Sequence, residues 1–278
     1  MNILDAGGYL ELVALGIVVG CYGTLIGAGG GFVLMPVLLL LYPEQGADLL
    51  TCISLAVVFF NALSGSEAYG LMKRIDYRSG LMFSSATIPG AVLGALNTSY
   101  VPRRLFDIIF SVLLLAGSAF LGWKSGKKEF SGKSFGDDRY HMTRSLVDTH
   151  GIRYDYGFNW LLGMSISVVV GYVSSFLGIG GGIIHVPALS YFLNFPVHVA
   201  TATSHFILAI MALTGTVVHI IAGTFTHGVH RTVALAIGVV MGAQIGARLS
   251  EKVRGPWIIR SLAMALGIVG LRILFVAW

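Results

Sequence analysis

The sequence is poor in charge. Of its 278 residues only 11% are Asp, Glu, Lys or Arg, against 55% hydrophobic, and the mean hydropathy is +0.82. Soluble domains carry roughly 25% charged residues, because a water-exposed surface has to be covered. A soluble globule is therefore excluded, and the composition reads as a polytopic membrane protein whose solvent is mostly lipid. Cysteine is also scarce. Cys21 and Cys52 lie in separate apolar runs, with no CxxC pair and no His or Cys at metal-ligand spacing. The thiols read as small buried hydrophobes, and neither a metal nor a cofactor is called for. The net charge of +5 is spread over short loops, without a basic helix or an aromatic-interleaved patch, which removes nucleic acid as a partner. Residues 1–11 hold no Lys or Arg. The basic n-region of a secretory signal is thus missing, and the first hydrophobic segment is expected to be retained.

Glycine, by contrast, is abundant: 37 residues, about 13% of the chain, where near 7% is usual. Apolar runs of about 20 residues, enough to cross a bilayer, lie at 47–66, 79–99, 104–123, 198–222, 233–250 and 258–277. Two longer runs, 10–42 and 160–193, are interrupted by Gly27-Ala28-Gly29-Gly30-Gly31 and by Gly178-Ile179-Gly180-Gly181-Gly182. Residues 32–42 would rise only about 16 Å as a helix, too little to span. Each long run is therefore expected to be a helix, a glycine break and a returning half-helix.

The two halves are copies. At an offset of 151, residues 20–38 and 171–189 share seven identities in nineteen positions: Gly20, Gly27, Gly29, Gly30, Gly31, Pro36 and Leu38 meet Gly171, Gly178, Gly180, Gly181, Gly182, Pro187 and Leu189. After a one-residue gap Thr51 and Ser54 meet Thr201 and Ser204, Ala62-Leu63-Ser64-Gly65 meets Ala212-Leu213-Thr214-Gly215, and Gly90-Ala91 with Gly94-Ala95 meets Gly242-Ala243 with Gly246-Ala247. This is a duplication. The expected division is a first transmembrane repeat at 1–123, a polar linker at 124–157 and a second repeat at 158–278.

The linker carries Lys124, Lys127, Lys128, Lys133, Arg139, Arg144 and Arg153 beside Glu129, Asp137, Asp138, Asp148 and Asp155. The positive-inside rule puts it in the cytoplasm, together with the loops bearing Lys73, Arg74 and Arg78 and bearing Arg248, Lys252 and Arg254. All three land on one side only if each half has about five membrane elements, so that the second half enters inverted. The expected fold is all-α, two inverted repeats with glycine-broken, re-entrant or discontinuous helices, an architecture of secondary transporters.

The candidate chemistry sits at the breaks. A helix N-terminus leaves N–H groups unpaired and carries about half a positive charge. Glycines without Cβ let an anion reach those groups. Gly27, Gly29, Gly30 and Gly31 and their copies Gly178, Gly180, Gly181 and Gly182 are the candidate substrate cradle; close helix crossing is the competing reading, and the preferred one for Gly94, Gly242 and Gly246. Thr51 and Ser54, with Thr201, Thr203 and Ser204, offer hydroxyl donors, unless they cap or bond back to a carbonyl. From Tyr156 to Ser250 there is no acidic residue, whereas six histidines fall there. That asymmetry favours an anion over a cation. His185 and His205, near the break and after Ser204, are candidates for proton coupling or for helix-to-helix hydrogen bonds; His198, His227 and His230 lie near loop ends. Glu67 and Asp107 read as boundary residues, and Arg272 sits within the last apolar run.

The doubled GxGGGxxxxP pattern, Gly27 to Pro36 and Gly178 to Pro187, followed by Ala200, Thr203 and Ser204 as Ala-x-x-Thr-Ser, resembles the sulfite exporter TauE/SafE permeases, also known as the toluene sulfonate uptake permease family. The first half departs from it, with Ile53 where the Thr of the pair would stand, so its hydroxyl contact rests on Ser54 and Thr51. The resemblance covers the chain apart from the linker and implies transport of sulfur-containing anions, such as sulfite or organosulfonates, across the cytoplasmic membrane. The expectation is thus a multi-pass permease rather than an enzyme, its partners a small sulfur-containing anion and the lipid bilayer. The rival readings are an anion channel and a membrane thiol or quinone oxidoreductase using Cys21 and Cys52.

Overall fold

The computed structural model describes residues 6–124, 140–253 and 255–277. Linker positions 125–139, with Lys127, Lys128, Glu129, Lys133, Asp137, Asp138 and Arg139, lie outside the described residues, as does Arg254. The first half forms α1 (Ala6–Leu25), α2 (Gly31–Leu41), α3 (Ala47–Leu71), α4 (Tyr77–Thr98) and α5 (Arg103–Lys124). The second forms α6 (Trp160–Leu177), α7 (Gly182–Phe192), α8 (Val197–Ile221), α9 (Val229–Ser250) and α10 (Gly255–Ala277). Seven of these helices are long and apolar enough to cross a membrane, so the chain is an all-α polytopic membrane protein. Both long runs break where the glycines fall, leaving α2 and α7 as half-helices of 11 residues each. Each holds a proline at its sixth position, Pro36 and Pro187.

The halves pack by exchange. Helix α1 lies on α9 and α6 on α4, while α3 meets its own counterpart α8, and α5 meets α10. The contacts also give directions. Gly238, Gly242 and Gly246 meet Val13, Ile17 and Cys21 in the same order, so α1 and α9 run together; Gly90 and Gly94 meet Val168, Tyr172 and Phe176 likewise, so α4 and α6 run together. Ile53 against Gly228 and Ser64 against Val240 align α3 with α9. Leu55 against Gly215 and Gly65 against His205 oppose α3 to α8, and Gly80 against Phe206 with Asp76 against Thr203 aligns α4 with α8. Helices α1, α3 and α9 therefore point one way and α4, α6 and α8 the other. These seams are glycine on backbone: an added Cβ at Gly238, Gly242 or Gly246 would strike a carbonyl of α1, an approach that only small residues permit.

The described residues of the polar segment between the halves include an antiparallel hairpin, β1 (His141–Val147) and β2 (Arg153–Asn159), with Thr143 opposite Gly157 and Val147 opposite Arg153. It straddles the turns at one end of the bundle. On the α3–α4 turn, Asp76 caps α4 by accepting from Ser79 N at 3.1 Å, accepts from Tyr156 Oη at 2.9 Å, and pairs with Arg144 at 3.6 Å. On the α7–α8 turn, Phe195 packs on Tyr156 and Phe158 at centroid distances of 4.5 and 5.1 Å, and Asn194 donates to Gly157 O. At the opposite end Arg103 donates to Leu39 O and Gln45 O, closing the C-terminus of α2, while pairing with Asp107 at 3.1 Å.

Asp148 holds the hairpin turn. Its Oδ1 accepts from His150 N at 2.9 Å and Ile152 N at 3.0 Å, and Arg74 lies 3.6 Å from Oδ2. Burial by itself raises the carboxyl pKa, but the two N–H bonds and the nearby Arg74 outweigh it, so the pKa lies below the usual carboxylate value. A lowered pKa means that the stabilisation is complete at neutral pH and is lost as pH falls below the unfolded value of about 4. Amide-exchange protection across Val147–Arg153, corrected for intrinsic rates, should therefore fall on acidification, by the equivalent of about 1–3 kcal/mol. In Asp148→Asn it should be reduced already at pH 7. Equal, pH-independent protection in both proteins would refute this account of the turn.

Candidate functional site

The two glycine breaks meet at the centre of the bundle. Gly27, Gly29 and Gly30 have φ of 78°, 72° and 77°, and Gly178, Gly180 and Gly181 have 68°, 78° and 63°, a left-handed backbone that residues with Cβ rarely adopt. Gly31 and Gly182 are required for another reason. A Cβ on Gly31 would sit 2.6 Å from Ile179 O, and one on Gly182 would strike Gly27 O. The breaks thus cross backbone against backbone, and both readings of the glycines, strained turn and close packing, apply at once. Val58 of α3 packs against Gly29, Gly31 and Gly180, Leu208 of α8 against Gly29, and Ile26, Ala28 and Ile179 are wholly buried. Helices α2 and α7 start from this crossing at Gly31 and Gly182, and neither has a side-chain cap on its first turn. Two positive helix ends therefore point into one buried locus.

The hydroxyls divide into two groups. Ser54 Oγ donates to Gly178 O at 2.6 Å, and Ser204 Oγ to Gly27 O at 3.4 Å, so each serine ties its helix to the break of the other half. Thr203 is turned to the α3–α4 turn, where its Oγ1 accepts from Asp76 N at 3.1 Å. Thr51 packs on Gly178 and Thr201 on Gly27, and the Oγ1 of each is buried without a protein partner. These two threonines are repeat counterparts. Buried hydroxyls are normally satisfied, and Ser174 Oγ, beside Gly181, is open as well.

The histidines also separate. His205 on α8 reaches across to the first half, with Nε2 3.2 Å from Thr24 Oγ1, its ring against Gly65 and edge-on to Tyr69. Thr24 donates in turn to Asn61 Oδ1 at 3.1 Å, and Tyr69 Oη donates to Thr24 O at 2.7 Å. His185 stays within its own half, 3.1 Å from Ser167 Oγ on α6. Thr24, Asn61 and Tyr69 escape a motif search. Asn61 is the one clear signal, an amide in the middle of an apolar run. The thiols are far apart: Cys21 lies against Gly246, whereas Ile53, beside Cys52, lies against Gly228, about 27 Å away along α9 at 1.5 Å per residue.

Comparison with known proteins agrees with this architecture. The family model described as "Sulfite exporter TauE/SafE" matches residues 12–273. The probable membrane transporter protein YunE of Bacillus subtilis is 31% identical over 273 residues, covering 96% of this chain and 97% of that protein. A probable membrane transporter protein of Methanocaldococcus jannaschii is 23% identical over 272 residues, covering 94% and 93%. YdhB, another probable membrane transporter protein of Bacillus subtilis, is 25% identical over 267 residues, covering 96% and 98%. No solved structure matches the chain.

The division of hydroxyls has a direct thermodynamic test. Ser54→Ala leaves a buried carbonyl unpaired and should destabilise the protein by about 1–3 kcal/mol in thermal or denaturant unfolding in detergent. Thr51→Val and Thr201→Val remove hydroxyls that have no partner and should leave stability unchanged or slightly higher. Equal losses in all three variants would contradict the assignment.

Proposed function

The chain belongs to the sulfite exporter TauE/SafE family, and from that footing we propose that it is a secondary transporter of small sulfur-containing anions, sulfite or organosulfonates, in the cytoplasmic membrane. The observation that carries this reading is the crossing: two uncapped half-helix N-termini with the open hydroxyls of Thr51 and Thr201 beside them. Gly27, Gly29, Gly30 and Gly31 with Gly178, Gly180, Gly181 and Gly182 form the cradle. Thr51 and Thr201 donate to the anion, and Ser54 and Ser204 hold the two breaks in register. Transport by inverted repeats is supported by the opposed directions of α1, α3 and α9 and of their counterparts α6, α8 and α4. Because the crossing is sealed by backbone contact, substrate enters only when the halves shift, which favours alternating access over an open channel.

Energetics set what each direction requires. Moving an anion inward against an inside-negative potential costs about 2.3 kcal/mol per charge per 100 mV. Export therefore runs downhill, and uptake requires coupling. His205 is the better-placed proton-coupling residue, since it bridges the halves beside Ser204, whereas His185 is tied within one half. The thiol oxidoreductase reading loses its geometric basis with Cys21 and Cys52 at opposite ends of α9.

Proteoliposome flux of sulfite, sulfate, thiosulfate, sulfoacetate and taurine, with and without a pH gradient, tests the function. Saturable flux of a sulfur oxyanion or sulfonate is expected, and flux that scales linearly with gradient would replace the carrier by a channel. In the same assay Thr51→Val and Thr201→Val should each weaken apparent affinity about 10- to 100-fold, the range for one hydrogen bond to a charged group at 1.4 kcal/mol per decade. Unchanged affinity in both would remove the crossing as the site.

A further inference from the structure

Arg74 lies in the α3–α4 turn and is buried beneath the hairpin, its side chain only 6% exposed. Guanidinium groups in such places normally spend all their donors on carboxylates or carbonyls. Here Nε and Nη1 have no acceptor, and among the described residues the group's one ion-pair partner is Asp148, whose Oδ2 is 3.6 Å from Nη2. That separation is an ion pair without a hydrogen bond. Asp148, moreover, is satisfied without Arg74, because His150 N and Ile152 N donate to Oδ1 and Tyr154 Oη lies 3.4 Å from Oδ2. The carboxylate therefore rests beside a cation that it neither needs nor saturates.

Arg74 also stands just past the hairpin end of α3, a helix that carries other open donors. Thr201, against Gly27, has an open Oγ1, and along α3 Asn61 Nδ2 and Ser66 Oγ are likewise buried without partners. Tyr69, between Ser66 and Arg74 in sequence, donates its Oη to Thr24 O beside the first break, and its carbonyl accepts from Arg74 N at 3.2 Å. In the second half Ser174 Oγ, Ser175 Oγ and His219 Nε2 are also buried without partners, but the counterparts of Asn61 and Arg74 are Met211 and Thr224, so no cation stands in that place.

We propose that Arg74 is a second anion-binding position, at the hairpin-covered end of the route, and that the Asp148 carboxylate occupies it in the closed state as a stand-in for the substrate's oxyanion group. An anion moving between the crossing and this face takes the open N–H groups of Arg74 and displaces Asp148 from it, so arrival of substrate releases one tie between the hairpin and the α3–α4 turn. This inference rests on the anion-transport reading above and gives that transport a defined second station.

The test uses the full-length protein in proteoliposomes of defined orientation, with sulfite and ethanesulfonate presented separately to each face. Arg74→Gln should raise the KM at the hairpin face about tenfold, the order of one charge-assisted hydrogen bond, and leave the KM at the other face within about twofold, with Arg74→Lys intermediate. Asp148→Asn removes the competitor and should move the same KM the opposite way, down by roughly two- to fivefold, the range of one weak ion pair. Opposite signs support the proposal. Shifts of the same sign, or equal shifts at both faces, would mean that the pair is only structural and would overturn it. Should the Arg74 variants fail to assemble, Asp148→Asn decides alone, by whether that KM falls. No saturable flux of either anion by the parent protein would instead fail the transport reading, and this station with it.

Discussion

Everything in this fold is arranged around one contact, the backbone of one glycine break lying on the backbone of the other. Gly31 against Ile179 and Gly182 against Gly27 leave no room for a side chain, so the composition at the crossing follows from geometry. Once the breaks touch, the serines of α3 and α8 can reach the opposite carbonyls, and the half-helices must turn back from a shared centre. The contact is apolar at its edges through Val58 and Leu208, and polar where Ser54, Ser204, Thr51, Thr201 and Ser174 stand. A locus of this kind keeps its helix dipoles dry, and electrostatic attraction is stronger where water is excluded.

Two-fold repetition of the backbone does not extend to the side chains, and the differences concern function more than fold. Thr24, Asn61, Tyr69 and His205 form a connected polar cluster on one side of the crossing. The corresponding positions on the other side are Ser175, Met211, His219 and Leu55. The ends of the bundle differ in the same way. One is covered by a hairpin that ties the turns of both halves together, and the other is clamped by Arg103 on the end of α2 and by Arg231, whose Nη1 donates to Gln45 Oε1 at 2.9 Å. The two ends of the bundle are thus closed by different side-chain contacts.

Much of the architecture was legible because bilayer solvation acts on long runs of sequence. The apolar segments became helices within a few residues of their expected ends, and both breaks fell at Gly27 and Gly178, where left-handed backbone begins. The duplication paired Thr51 with Thr201, and the two take equivalent places in the structure, Thr51 on Gly178 and Thr201 on Gly27. What stayed hidden depends on contacts distant in sequence. The hairpin is too short and polar to show itself in a charged linker, and its seat is made by Asp76 and Phe195 from two other segments. Thr203 sits within a pattern that suggests substrate, yet its hydroxyl serves the backbone of Asp76. Ser54 and Ser204, read as donors to substrate, instead donate to Gly178 O and Gly27 O, and sequence does not separate a hydroxyl that binds protein from one left open.

The exchanged packing of α1 on α9 and of α6 on α4 bears on how the protein is made. Helix α1 leaves the ribosome first, but the surface it is shaped for, the glycine seam of α9, is translated more than 200 residues later. At synthesis rates of 5–20 residues per second that delay is on the order of 10–40 s. Through it, the Gly16 and Gly20 stripe of α1 faces lipid or a chaperone rather than its partner. Neither half can complete its own bundle before the other is inserted, so assembly in the membrane is a single late event governed by non-local contacts. Truncated chains ending before α9 would then be substrates for quality control, however well their individual helices insert.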